Sequence, residues 1–102
     1  MKPRYILAPE AARDLVGIWR YIKEQSSLEM AERVESVIRE KFVLLAKNPG
    51  LGHWRKDLTE EPVKFFPVYS YLVVYGPDTK PLQVVAILHG RRDVERVLRH
   101  RQ

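Results

Sequence analysis

A chain of 102 residues has the size of one domain, residues 1–102, with one hydrophobic core burying about two thirds of the surface its unfolded form exposes. With 45% hydrophobic and 30% charged residues it is too apolar for a disordered protein and too charged for a membrane one, and without cysteine it has neither disulfides nor thiolate metal sites. The net charge of +5 favours an acidic protein or nucleic acid as partner, and residues 91–102 carry +3 of it: Arg91, Arg92, Arg96, Arg99 and Arg101 against Asp93 and Glu95.

The N-terminal apolar run Tyr5-Ile6-Leu7-Ala8 is far shorter than the core of a signal peptide and meets Pro9 and Glu10 at once, so a cytoplasmic protein is expected. Residues 4–7 are aromatic and β-branched enough for a first strand. Ala8-Pro9-Glu10 then opens a helix, with proline near its first position. Ala12, Leu15, Val16, Trp19 and Ile22 recur at spacings of three and four and predict its buried face.

Gln25-Ser26-Ser27 interrupts that pattern, and Ser26 with Glu29 reads as a capping box for a second helix. Ala31, Val34, Ile38, Phe42 and Leu45 are its core face, and Asn48-Pro49-Gly50 ends it because proline cannot continue a helix. Residues 51–62 read as a loop. Three strand-like runs follow, at 63–66, 68–75 and 82–89, the last two pairing as an antiparallel hairpin, and a short basic helix starts at about Asp93. The fold class is α+β: an N-terminal strand, then a helical hairpin packed on an antiparallel sheet. On strand parity Tyr69, Tyr71 and Tyr75 share one face.

Four tracts carry a family resemblance in order and spacing: Tyr5-Ile6-Leu7-Ala8-Pro9-Glu10-Ala11 with Asp14, Leu15 and Ile18; Asn48-Pro49-Gly50-Leu51-Gly52; Tyr71-Leu72-Val73-Val74-Tyr75; and His89-Gly90-Arg91-Arg92-Asp93. Together they resemble the RelE/ParE toxin superfamily over nearly the whole chain. The resemblance implies a cytoplasmic toxin neutralised by a cognate antitoxin, with operator DNA bound only indirectly, through the antitoxin. RelE-like members cut messenger RNA on the ribosome, whereas ParE-like members block DNA gyrase.

RNA cleavage needs a proton acceptor, a proton donor and cations on the scissile phosphate. RelE-like toxins often place a tyrosine near the C-terminus for this, but here no tyrosine follows Tyr75, and the tail ends His100-Arg101-Gln102. Arg55, Lys56 and Arg91, with Lys64 and His89, are the candidates if the chain is a nuclease. The tract from His89 to Asp93 is most similar to the ParE-like branch: a glycine turn presents Arg91 and Arg92 for bidentate bonds to a carboxylate of gyrase or antitoxin, and Asp93 suits an N-cap. The competing reading has one arginine paired with a carboxylate such as Glu95 to fix the tail.

Trp19, on the apolar stripe, reads as core. Trp54 lies in the loop beside Arg55 and Lys56, placed to anchor a partner or to cover the helix–sheet junction. With Arg91, Arg92 and Arg96 it completes the expected contact set for target or antitoxin. His53, His89 and His100 lack metal-ligand spacing, and no phosphate-binding glycine loop or nucleophile elbow occurs, so neither metal nor cofactor is expected. The expectation is a ParE-like inhibitory binding protein. The alternatives are a RelE-like endoribonuclease and a degenerate toxin that only binds its antitoxin, the latter through an amphipathic helix or added strand along an apolar groove.

Overall fold

In the computed structural model, which describes residues 4–90 and 93, the chain runs β1 (Tyr5–Leu7), α1 (Pro9–Gln25), α2 (Leu28–Lys47), a 3-10 turn (Pro49–Leu51), β2 (Lys64–Val68), β3 (Tyr71–Gly76) and β4 (Leu82–His89). Pro9 opens α1 at a position whose N–H would have no helical partner in any case. The cap of α2 falls one residue later than the capping box predicts. Ser27, not Ser26, accepts the N–H of Met30 at 3.0 Å, so Glu29 stands one position short of the place from which it could reach back to the cap.

The buried side of α2 is the expected one, with Ala31, Ile38, Phe42 and Leu45 inaccessible to solvent. That of α1 is rotated. Ala11 and Leu15 are buried and Ile18 and Ile22 half-buried, whereas Val16 is 52% exposed. Spacings of three and four admit two adjacent stripes on one helix, and the sheet takes the one centred on Leu15.

The sheet order is β1-β4-β3-β2. It is mixed rather than wholly antiparallel, because β1 joins β4 in parallel while β2 and β3 pair antiparallel. The expected strand at 68–75 is divided. β2 continues through Pro67 to Val68, and Tyr69-Ser70 forms a two-residue turn into β3. Pro67 fits because β2 is an edge strand and the missing N–H falls on its outer side, the side on which Phe65 and His53 exchange backbone hydrogen bonds. Tyr69 therefore leaves the face it was expected to share with Tyr71 and Tyr75. It is 63% exposed, with φ of 56°, a left-handed backbone that costs a side chain about 1–2 kcal/mol.

A bulge in β4 decides how the sheet is buried. Tyr75 faces Val84 and Val74 faces Ala86, so Val85 is an extra residue. Before the bulge Leu82 and Val84 face the helices. After it Ile87 does, while Ala86 and Leu88 turn to the other face with Phe65 and Val74, where Leu58 and Val63 of the long loop pack.

Tyr75 closes the structure. Its hydroxyl accepts the N–H of Gly52 at 2.8 Å and donates to the carbonyl of Pro49 at 2.7 Å, tying the exit of α2 to the centre of the sheet. A Cβ on Gly52 would stand 2.5 Å from that hydroxyl and 3.0 Å from the carbonyl oxygen of Phe65. Glycine is required there by close approach.

β1 covers only Leu82–Val84 of β4. Beyond it, the N–H of Ile87 donates to the Asp14 carboxylate of α1 at 3.0 Å, and that of His89 donates to Asp93 at 2.8 Å. Asp93 was expected to cap a helix. Instead it is itself helical, and its carboxylate bonds back to the strand end. The remainder of the expected C-terminal helix, Arg91, Arg92 and Arg96 included, lies outside the described residues.

Gly52→Ala is expected to lower unfolding free energy by about 1–3 kcal/mol through overpacking, and Tyr75→Phe by a similar amount, about 1–3 kcal/mol, because a buried N–H loses its partner. Urea denaturation of the two variants checks both. Asp14→Ala should cost about 1–3 kcal/mol in the same measurement, with Asp14→Asn recovering part of it as the amide oxygen takes over the bond to Ile87.

Candidate functional site

Where β1 ends, α1 and the uncovered end of β4 diverge into a groove of about 660 Å³. Arg13, Asp14, Gly17, Ile18 and Tyr21 of α1 form one wall, and Tyr71, Ile87, His89 and Asp93 the floor and far side. The parity set by the bulge aims His89 toward α1, between two phenols: its ring lies 4.9 Å from that of Tyr71 and 6.4 Å from that of Tyr21. Burial, and after it the proximity of Tyr21, raise the pKa of Tyr71 above the ordinary phenol value, so it is neutral near pH 7 and offers a hydroxyl donor rather than a base.

Gly17 keeps the groove open. A Cβ there would meet nothing within 4 Å, so no internal packing demands glycine, although glycine inside a helix costs about 1 kcal/mol relative to alanine. Tyr21 is 53% exposed, which gives α1 an apolar, solvent-facing rim at the groove. Two part-buried backbone donors of β4 on this side are already bonded to Asp14 and Asp93, so these donors are closed to an added strand.

Of the residues singled out in the sequence, Trp54, Arg55 and Lys56 sit elsewhere, on the loop between the 3-10 turn and β2, and none of them lines the groove. Trp54 is 46% exposed, and it holds the ammonium groups of Lys56 and Lys64 at 5.3 and 5.0 Å from its ring. Lys64 also donates to the carbonyl of Gly50 at 3.3 Å. Arg55 makes a fork with Asp57 at 3.0 and 2.9 Å; the hydrogen bond raises the arginine's pKa and lowers the aspartate's. Trp19 is half-buried, under the ammonium of Lys23 at 5.1 Å. Arg91, Arg92 and Arg96 lie outside the described residues.

Sequence reasoning missed the groove wall. Its signal is Asp14, Gly17 and Tyr21 at helical spacing beside the apolar stripe, a run that hydrophobic periodicity passes over because only one member is apolar. Among the described residues no three His, Asp or Glu side chains gather as metal ligands, and no helix is long and apolar enough to cross a membrane.

No curated protein matches the chain significantly by sequence. A solved structure of the chromosomal ParDE TA system from P. aeruginosa superposes with a TM-score of 0.71 at 19% identity, over 85% of this chain and 95% of that one. The shared architecture is the fold alone at that identity. The family described as the ParE toxin of the type II toxin-antitoxin system, parDE, matches residues 5–94. The chain belongs to the ParE toxin family.

Proposed function

We propose that this toxin arrests replication by binding DNA gyrase, and that a cognate antitoxin silences it by laying an apolar helix in the groove between α1 and β4. Family membership over residues 5–94 carries the reading. The basic tract that begins at His89 supports the target, since Arg91 and Arg92 present two guanidinium groups suited to bidentate bonds with carboxylates. Arg96 adds a further cation to that tract, and Trp54, on the loop before β2, is a second contact. Operator DNA is reached through the antitoxin, and the toxin acts in the cytoplasm, where gyrase works.

A helix suits the groove better than an added strand. Strand addition needs free backbone donors along an edge, and on this edge those of Ile87 and His89 already bond carboxylates. A helix needs an apolar trough with room for close approach, which Gly17, Ile18, Tyr21 and Tyr71 provide. Acidic residues of the antitoxin then meet the basic pole and speed association.

Purified protein is expected to inhibit gyrase supercoiling, with inhibition lost on combined Arg91→Ala and Arg92→Ala; ribosome-dependent messenger cleavage without gyrase inhibition would overturn the reading. Gly17→Phe fills the groove at a position with open space and a better helix former. It should retain its melting temperature and gyrase inhibition while binding antitoxin at least about tenfold more weakly, measured by calorimetry.

A further inference from the structure

The turn between β2 and β3 holds the most exposed large apolar side chain among the described residues. Tyr69 is 63% exposed, and its φ of 56° belongs to a backbone region that glycine enters freely and side chains rarely adopt. In a two-residue hairpin turn with left-handed backbone at the first position, glycine is the residue that geometry calls for. A tyrosine there sacrifices backbone comfort and gains no shelter for its ring.

The turn is also fastened to the segment that carries the arginine pair. The N–H of Gly90 donates to the carbonyl of Ser70 at 3.2 Å, and Gly90, itself left-handed with φ of 62°, immediately precedes Arg91 and Arg92 in sequence. The hairpin tip and the start of the basic tract are thus held together by one hydrogen bond. The groove wall formed by α1 is a different surface, and Tyr69 does not line it.

We infer that Tyr69 is an anchor for the protein this toxin poisons, its ring inserting into an apolar pocket on an acidic surface of that protein. Tyrosine is suited to such a place. It brings a rigid apolar ring with only two side-chain torsions to immobilise and a hydroxyl to bond at the pocket floor, and aromatic and arginine side chains together are the usual centres of binding energy at protein interfaces. The occupant is acidic because the chain that presents the turn carries a net charge of +5. The inference rests on the proposal that the toxin works by binding a target protein and assigns the anchor of that contact.

Asparagine tolerates the left-handed backbone, so Tyr69→Asn removes the ring without imposing strain, and Tyr69→Gly is the matching control. Both variants should keep or raise the melting temperature and keep wild-type affinity for the antitoxin. Growth arrest on expression without antitoxin should disappear in both, and gyrase inhibition by the purified proteins should fall at least about tenfold. Growth arrest undiminished in the two variants would overturn the anchor, as would antitoxin affinity falling in place of toxicity. If the wild type fails to inhibit gyrase, the target proposal fails while the growth assay still decides the anchor.

Discussion

A difference in strand length governs the functional half of this molecule. β4 has eight residues, and β1 pairs with only the first three of them, Leu82–Val84. The remaining edge must satisfy its backbone donors in some other way, since a bare buried N–H costs about 1–3 kcal/mol. Two aspartates meet that demand from two directions: Asp14 comes down from α1, and Asp93 folds back from the residues that follow the strand. The same bonds fix the spacing of α1 over β4 and shut the edge to an incoming strand, so one local solution yields both a stable sheet margin and an open groove beside it.

Two further devices make that margin possible. The extra residue Val85 reverses the facing of β4 midway, which lets Leu82 and Val84 reach the helices at one end and Ile87 and His89 at the other. Without it, even and odd positions could not both face α1 and α2, and His89 would point to the opposite side of the sheet. Tyr75 works at the other end of the core. Its hydroxyl joins Pro49 and Gly52 to the sheet, so the long loop leaves α2 in a fixed direction and brings Leu58 and Val63 over the second face. Both faces of the sheet are thereby covered by a chain of only 102 residues.

Much of this was legible from the amino acids. The order of elements, the proline start of α1, the core face of α2 and the β3–β4 hairpin follow from local rules of periodicity and backbone chemistry, which act within a few residues. What escaped depends on contacts between distant parts. The bulge at Val85 has no signature in Val84-Val85-Ala86, where any of three small apolar residues could be the extra one. The choice of Ala11 over Val16 as buried is made by the sheet, not by the helix. Pro67 reads as a strand breaker unless one knows that its strand lies at an edge. Tyr69 fits a strand by propensity, and only the pairing of Val68 with Tyr71 turns it into a hairpin corner. The groove was hidden for a related reason: its walls are a glycine, an aspartate and a half-exposed tyrosine, residues whose joint meaning appears only when β4 stands opposite.

The charges show how such a surface separates recognition from attraction. Arg55 is forked onto Asp57, an exposed pair that contributes little to stability, and the ammonium groups of Lys56 and Lys64 rest over Trp54. These cations on the loop already have partners. The groove sets Ile18, Ile87 and the rings of Tyr21 and Tyr71 beside Arg13, Asp14 and Asp93, and both aspartates are already bonded to the backbone of β4. Burying one such side chain contributes about 1.5–3 kcal/mol, so on the proposed reading apolar contact sets the lifetime of a complex there. Charge acts at longer range, over roughly 8–10 Å at physiological salt, and so bears on the rate of an encounter more than on its persistence. On the proposed reading, capture draws on the chain's net charge of +5 and retention on the apolar side chains of the groove, two terms that can be altered independently.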